Sequence, residues 1–538
     1  MRGTFLWRTA ILAGAGISAG MPRSNGTESR AIDFNTQVAP ILLRHCAACH
    51  NPSDHAANLN LLCEEGAVAG GDSGEPAIKS GNSRDSPLVA RIAAGEMPPE
   101  GKGQHVSADD LAVLRRWIDS DAKWPMGRVL DPFEITTEFR AGRDWWSFKP
   151  PLRPEVPRIE GHALPKQIRN PIDSFICERL QAAALEISEE ADRQTLIRRA
   201  MLDLHGLPPS PEEVQEFVAD PSPEAHEKLI ERLLDSPRYG ERWARHWLDV
   251  ARFAESDGFE MNAARDTSWP YRDYVIHSFN QNKPYTQFII EQIAGDQVGE
   301  SLGTGFLVAG PYDTVRSPDV ELTRVQRTAE LDDMVSATCG AFLGLTAGCA
   351  KCHDHKFDPI RQVDYYAIQA VFSGVQHRRH EASVKKADKT SLTSLPRETP
   401  AEHAELAKKI DSFDSGTSRS KLPMAYVGSF QQPDEPTFLL YRGDPMQQRE
   451  IITPGGIGAV GKPLKLSATT PEADRRMALA RWIADDSNPL SARVMVNRIW
   501  HYHFGRGLMS SPSDFGFNGG EPSHPQLLDW LATEFMAQ

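Results

Sequence analysis

The sequence predicts a mainly α-helical protein built from more than one domain. Three observations carry this. Apolar residues recur at helical spacing through most of the chain, capping residues and prolines mark helix starts, and β-like runs are confined to one short stretch. The 538 residues leave room for about three or four domains at roughly 100–200 residues each. The expected order is a helical domain over 31–125, a larger helical domain with minor β structure, and a short helical piece at the C-terminal end.

The elements follow in order. Residues 1–24 have the plan of a secretory signal peptide: Arg2 and Arg8 precede a short apolar run from Thr9 to Ala19, and small residues close it. A helix is expected from Asn35 to Cys49, with Val38, Ile41 and Leu42 on its inner face. A Gly/Ser/Asp-rich loop covers 66–87. Ser107 then caps a helix with Asp109 and Asp110 in its first turn and Leu111, Leu114, Trp117 and Ile118 as its buried stripe. Residues 126–169 are rich in proline and tryptophan and read as an extended linker packed on a neighbour. From 170 to 376 the pattern is helical. Pro171 opens one helix at its first turn, Arg193–Leu204 forms another, and 224–256 and 270–296 read as longer helices. Residues 377–423 are polar with mixed charge and read as a linker or a solvated helical excursion. Residues 424–470 hold the β-like runs. Residues 471–538 return to helix, with Met477, Leu479, Trp482 and Ile483 as a buried face. No stretch after the signal reaches the ~18–20 apolar residues of a membrane span, so the chain is expected not to span a membrane once the signal is removed.

The 73 acidic residues outnumber the 59 basic ones, giving a net charge of −14. That argues against a nucleic-acid partner, whose binder would carry a basic patch. Seven cysteines stand at 46, 49, 63, 177, 339, 349 and 352, too few for a disulfide scaffold of this length. Four of them make Cys46-Ala-Ala-Cys49-His50 and Cys349-Ala-Lys-Cys352-His353. Cys63, Cys177 and Cys339 are left over.

Cys-x-x-Cys-His is the attachment signature of c-type haem. Two thiols about one helical turn apart add to the porphyrin vinyl groups, and the adjacent histidine is placed to bind iron. A thioredoxin-like or zinc-binding pair is the rival at the first motif, but neither fits well, since no second Cys-x-x-Cys lies nearby to complete a tetrahedral zinc site. Met97, in the polar loop Gly95-Glu-Met-Pro-Pro-Glu-Gly, is the expected sixth ligand of the first haem. Methionine opposite histidine raises the potential, and Pro98-Pro99 stiffens the loop. The iron ligands read from the sequence are therefore His50, Met97 and His353. At the second motif the competing reading is a metal site using Cys349, Cys352, His353 and His355, which is cramped because the histidines are two residues apart. The sixth position of a second haem is open or filled by a distant residue such as His246, Met261 or His377. Asp249, Arg252, Glu255, Asp257, Arg272, Asp273 and Asp296 form a polar cluster that reads as a salt-bridge lattice before it reads as a pocket. His501 and His503 read as packing residues. No Gly-x-Ser-x-Gly, P-loop or His-Glu-x-x-His occurs, and no catalytic residue stands out.

The run Phe34-Asn-Thr-Gln-Val-Ala-Pro-Ile-Leu-Leu-Arg-His-Cys-Ala-Ala-Cys-His resembles the planctomycete cytochrome c domain, as does the downstream Met97-Pro-Pro. Asn170-Pro-Ile-Asp-Ser-Phe-Ile, Arg198-Arg-Ala-Met-Leu-Asp-Leu-His-Gly-Leu-Pro-Pro and Tyr239-Gly-Glu-Arg-Trp-Ala-Arg-His-Trp resemble the uncharacterised domain that accompanies it in large exported proteins. Gly348-Cys-Ala-Lys-Cys-His-Asp-His-Lys-Phe-Asp-Pro resembles that domain too and supports a second haem. Asn497-Arg-Ile-Trp-His-Tyr-His-Phe-Gly-Arg-Gly-Leu resembles the start of a second uncharacterised domain. That domain normally continues further, and this chain stops at Gln538, so the resemblance implies a truncated C-terminal piece.

With haem at both motifs, the chain is a periplasmic or otherwise exported c-type cytochrome. It moves electrons to a redox partner protein and carries out redox chemistry at the second haem where the sixth position is open. Whether it is a haem-dependent oxidoreductase or an electron carrier alone is left open. The alternative is a cell-envelope protein that binds polysaccharide or another envelope component. It would hold a single cytochrome module and a structural metal site at 349–355.

Overall fold

The structure, a computed structural model, describes residues 32–52, 56–159, 168–259, 261–315, 317–381 and 424–537. The signal expected at 1–24 and most of the polar linker, 382–423, lie outside the described residues. The fold is mainly α, with two small two-stranded sheets among the described residues. The chain divides into two compact units between Leu130 and Asp131.

In the first unit, a π-helical turn at Phe34–Val38 leads into α1 (Ala39–His45), followed by α2 (Glu64–Ala69), α3 (Pro87–Ala93) and α4 (Ala108–Asp119). Asp33 opens the entry. The Thr36 hydroxyl and then its N–H donate to Asp33 Oδ1 (2.7 and 2.8 Å) and hold that carboxyl below its ordinary range. α1 is shorter than the helix expected to Cys49. At Ala47 the ladder slips, because its N–H reaches back five residues to Leu42 O (3.0 Å), and the cysteines fall on the turn after the helix. α4 begins as the sequence indicates, with Ser107 Oγ accepting from Asp110 N (3.0 Å). The core joins these pieces through Phe34, Trp117 and Trp124, whose rings lie 4.5–6.0 Å apart.

The second unit holds α5 (Pro171–Ala182), α6 (Arg193–Leu204), α7 (Pro211–Ala219), α8 (Ala225–Leu234) and α9 (Pro237–Val250). α10 (Trp269–Asn280), α11 (Tyr285–Val298), α12 (Val320–Thr338) and α13 (Gln362–Phe372) follow. α14 (Glu472–Ile483), α15 (Ser491–Phe504) and α16 (Pro525–Ala537) close it. Two stretches read as single long helices are each two helices. Pro237, which Ser236 caps, starts α9 anew after α8. Asn282 adopts a left-handed conformation (φ +48°) and Pro284 precedes α11, so α10 cannot run on. Strand β1 (Val375–Glu381) pairs antiparallel with β2 (Met424–Phe430), Val375 opposite Phe430. Residues 377–381, read as linker, thus complete a strand. The short β3 (Phe438–Leu440) pairs antiparallel with β4 (Gln448–Ile451).

One small core joins α6, α7 and α8 through Ile197, Met201, Phe217, Leu229 and Leu233. A larger one runs from Trp247 and Tyr271 through Phe306, Met334, Phe342, Tyr365 and Phe372 to Phe515 and Leu527. The tryptophan-rich segment joins that core. Trp145 Nε1 and Ser147 Oγ donate to Phe515 O (3.2 and 2.7 Å), and Trp146 Nε1 donates to Gly520 O (2.8 Å). α9 and α10 cross closely at Gly240, where a Cβ would sit 2.5 Å from Ile276 O, so only glycine fits.

Arg476 ties three elements together from a fully buried position. It holds Asp296 of α11 (2.6 and 2.9 Å) and Glu472 of its own helix (2.5 and 3.0 Å), and its guanidinium stacks 3.4 Å from the centre of the Phe430 ring on β2. Removing one side of a buried charge network leaves the other side uncompensated. Arg476→Ala should therefore lower the unfolding free energy by about 3–5 kcal/mol. Chemical denaturation measures this, and a loss under ~1 kcal/mol would contradict the account.

Candidate cofactor sites

The end of α1 delivers the first motif. Cys49 N and His50 N both donate to Cys46 O (3.2 and 3.0 Å), which sets Cys46 and Cys49 one turn apart. Ala56 N donates to Cys49 O (2.9 Å) and Leu61 N to His50 O (3.0 Å), fastening the turn to the chain that follows. Cys46 is buried, and Cys49 and His50 are half-buried. Burial first, and the neighbouring Cys49 second, push the Cys46 thiol up to about 12. A thiol held protonated opposes thiolate ligation of a metal, which requires deprotonation. His50 Nδ1 is buried with no hydrogen-bond partner among the described residues, and burial lowers the pKa of this imidazole. A neutral imidazole not consumed by the protein is what an iron ligand requires. The residues at this motif therefore fit covalent haem.

Met97 is half-buried in the loop between α3 and α4, just after Gly95, whose φ of +74° closes the end of α3. Further along the same loop, Gln104 O accepts from His45 Nδ1 (3.1 Å), so the loop is tied to the last residue of α1, next to Cys46.

The second motif is built differently. It sits on a short 3-10 turn, Ala347–Lys351, and Cys349, Cys352 and His353 are all exposed. α13 holds the turn from below. Tyr366 OH and Gln362 Nε2 both donate to Lys351 O (2.9 and 3.0 Å), and Gln362 also reaches Leu440 O (2.9 Å). Lys351 Nζ pairs with Asp332 of α12 (3.2 Å). Gly443, with φ +76°, lies over Cys352; a Cβ there would sit 2.9 Å from Cys352 Sγ. His353 Nδ1 stands 2.7 Å from Asp354 O. A carbonyl only accepts, so Nδ1 carries the proton in that bond and Nε2 keeps its lone pair for a ligand. Two free thiols beside such an imidazole fit haem at this motif as well.

The rival metal site fares worse. His355 is buried, and its Nδ1 accepts from Asp358 N (2.9 Å) and Phe357 N (3.3 Å). That nitrogen is thereby closed to a metal. No group of three or more His, Cys, Asp or Glu among the described residues is arranged to hold a metal ion.

The distant candidates are otherwise engaged. His246 stacks on Tyr502 with ring centres 3.9 Å apart, and burial, with Arg242 and Arg245 nearby, pushes its pKa down to about 4. His377 is buried, stacked on Tyr312 (4.4 Å), with Nδ1 2.9 Å from Tyr426 OH. Met261 is exposed. None of these contacts involves the 349–353 turn. The polar cluster separates into ion pairs: Arg252 with Asp333, Arg265 with Asp257, Arg272 with Glu255 and Asp273, and Arg476 with Asp296. His503 Nδ1 lies 2.6 Å from Asp203, and His501 packs edge-on against Tyr502. The sequence reading missed Asp332, Gln362, Tyr365, Tyr366 and Gly443, because only the folded chain brings them to the turn.

Buried beside the second motif, Asp358 and His355 titrate in opposite senses. Burial raises the Asp358 carboxyl from 3.8 to about 6 and lowers the His355 imidazole from 6.5 to about 4. The 3.3 Å approach of Asp358 Oδ2 to His355 Nδ1 is thus no ion pair, since that nitrogen already accepts two N–H groups. The raised carboxyl contributes stability below 3.8 that is lost as pH rises through about 6. The lowered imidazole contributes stability above 6.5 that is lost as pH falls toward 4. Asp358→Asn removes the first effect alone. Its melting temperature should climb more steeply than that of the parent between pH 4 and 6.5, and parallel pH profiles would contradict these assignments.

Three family models match the chain: Planctomycete cytochrome C over residues 46–101, Protein of unknown function (DUF1549) over 171–377, and Protein of unknown function (DUF1553) over 475–538. The first match contains Cys46, Cys49, His50 and Met97, and the second contains the 349–353 turn. A cytochrome c family domain implies covalently bound haem c. No curated protein and no solved structure matches the chain. No helix among the described residues is long and apolar enough to cross a membrane. In chain order the protein thus carries a planctomycete cytochrome c domain followed by these two domains of unknown function.

Proposed function

We propose that the chain is an exported dihaem c-type cytochrome that transfers electrons to a redox partner protein. Cys46 and Cys49 hold the first haem, with His50 and Met97 as iron ligands. Cys349 and Cys352 hold the second, with His353 as ligand. Bound at these motifs, haem c supplies a one-electron iron couple.

The chain's own residues give the two sites different characters. Around the first motif the buried Cys46, the half-buried His50 and the tethered, proline-stiffened Met97 loop exclude water and saturate the metal, which suits electron relay. At the second motif His353 is exposed, and among the described residues His246 and His377 are stacked on other rings, which supports reading its sixth position as open to a small ligand. The observation that carries the reading is the bond from His353 Nδ1 to Asp354 O beside two free, exposed thiols. The signal-like start, the net charge of −14 and the two haem motifs support export to an oxidising compartment such as the periplasm. A single-haem envelope protein that binds polysaccharide, with a metal at 349–355, loses support because His355 Nδ1 already accepts two backbone N–H groups.

Two measurements test this. The pyridine haemochrome assay on protein made with the c-type maturation system should give two haems per chain, and one in a Cys349→Ser, Cys352→Ser double variant. One haem in the parent would overturn the dihaem reading. Met97→Ala should lower the potential of one haem and leave the other in place, because a thioether opposite histidine raises the potential. An unmoved potential would remove Met97 from the iron.

A further inference from the structure

Two tyrosines lie directly beneath the second motif, and both are fully buried. They are neighbours on α13, with ring centres 5.0 Å apart and nearly perpendicular. Their hydroxyls differ in what they meet. Tyr366 OH donates to the Lys351 carbonyl (2.9 Å), a neutral acceptor inside the Cys349–His353 motif. Tyr365 OH donates to Asp332 Oδ1 (2.5 Å), a carboxylate whose other oxygen is paired with the Lys351 ammonium (3.2 Å). A phenol that loses an electron becomes a strong acid. It can do so readily in a buried site only where a base takes the proton in the same step. A backbone carbonyl cannot be that base, whereas a carboxylate can.

From this geometry we propose that Tyr365 is a proton-coupled one-electron donor to the second Cys-x-x-Cys-His turn. The proposal rests on the haem reading of that turn. The oxidant is a strong one-electron oxidant of the metal-complex class acting at the turn, and it gains the electron that Tyr365 loses. The phenolic O–H bond breaks, and the proton crosses to Asp332 Oδ1. The products are a neutral tyrosyl radical and a neutral carboxylic acid. Reduction of the radical returns the proton along the same bond. Tyr366, against Tyr365 on one side and bonded to the motif on the other, lies on the electron's route. The side chains of Lys351 and Asp332 are both half-buried.

Tyr274 provides an internal comparison. Its hydroxyl also donates to a carboxylate, Glu291 Oε2 (2.7 Å), but that carboxylate is bonded to Lys283 and Gln287, and none of these residues belongs to the motif.

The test oxidises the full-length holoprotein with photogenerated ruthenium(III) tris(bipyridine) and records the freeze-trapped electron paramagnetic resonance spectrum. The parent should show a tyrosyl signal. Tyr365→Phe should lose it. Asp332→Asn, which keeps the acceptor oxygen and the volume but cannot take a proton, should lose it too. Tyr274→Phe should leave it unchanged. Circular dichroism checks that each variant is folded; should Tyr365→Phe not fold, Asp332→Asn decides alone. A parent with no tyrosyl signal, or a signal that survives in Tyr365→Phe or in Asp332→Asn, overturns the proposal. Loss of the signal in Tyr274→Phe also overturns it. The haem count is read separately on the same samples. A single haem defeats the dihaem reading without touching the comparison of variants, because the oxidant is supplied from outside.

Discussion

The carbonyl oxygen of Lys351 accepts two hydrogen bonds from α13, and the five-residue turn that carries the second motif is held against the core by them. A single 3-10 turn has little stability of its own. Each of these bonds contributes only about 0.5–1.5 kcal/mol net, but leaving the buried Tyr366 hydroxyl without a partner costs roughly 1–3 kcal/mol. The turn is therefore fixed because α13 would otherwise bury an unsatisfied group. With Lys351 anchored, the side chains on either side of it, Cys349 and Cys352, are left on the surface, and His353 settles its Nδ1 on the next carbonyl. The first motif reaches a comparable backbone arrangement by another route, from the end of a helix, with Cys46 packed into a core.

The second unit is rich in irregular backbone, and buried arginines satisfy much of it. Arg265 donates to the carbonyls of Val308, Ala309 and Gly310; Arg475 to Ala370, Ala468 and Thr470; Arg493 to Ser147, Lys149 and Pro489. Arg498 donates to Gly340 and Ala341, in the segment that leads to the second motif's turn. A buried carbonyl without a donor is costly, and one guanidinium offers five N–H groups in a fixed plane. Short helices joined by proline- and glycine-rich segments can therefore pack as one body. The same residues bind the tryptophan-rich segment and the C-terminal helices into the unit.

Much of this was legible in the sequence where the determinants are local. Ser107 announces a helix start, and α6 runs over Arg193–Leu204 as its pattern indicates, because caps and apolar spacing act within a few residues. The helix breaks at Pro237 and Pro284 were written in the chain but were outweighed by the apolar pattern on either side. The haem motifs were readable because thiol and imidazole must be adjacent for that chemistry. What surrounds them was not readable. Asp332 and Tyr365 are 33 residues apart, and Gly443 reaches Cys352 from farther still. Such partners are chosen by packing, which has no short-range signature. The polar cluster is a related case: Arg252 and Asp296 share a stretch of sequence, yet each pairs with an acid or base supplied from elsewhere in the fold.

The dihaem assignment turns on whether the exposed cysteine pair carries a covalent group. Mass spectrometry of proteolytic peptides from matured protein answers this at the residue level. The peptide with Cys46 and Cys49 and the peptide with Cys349 and Cys352 should each be heavier by one haem, attached through two thioethers. Haem on the first peptide, with unmodified thiols on the second, would contradict the central claim.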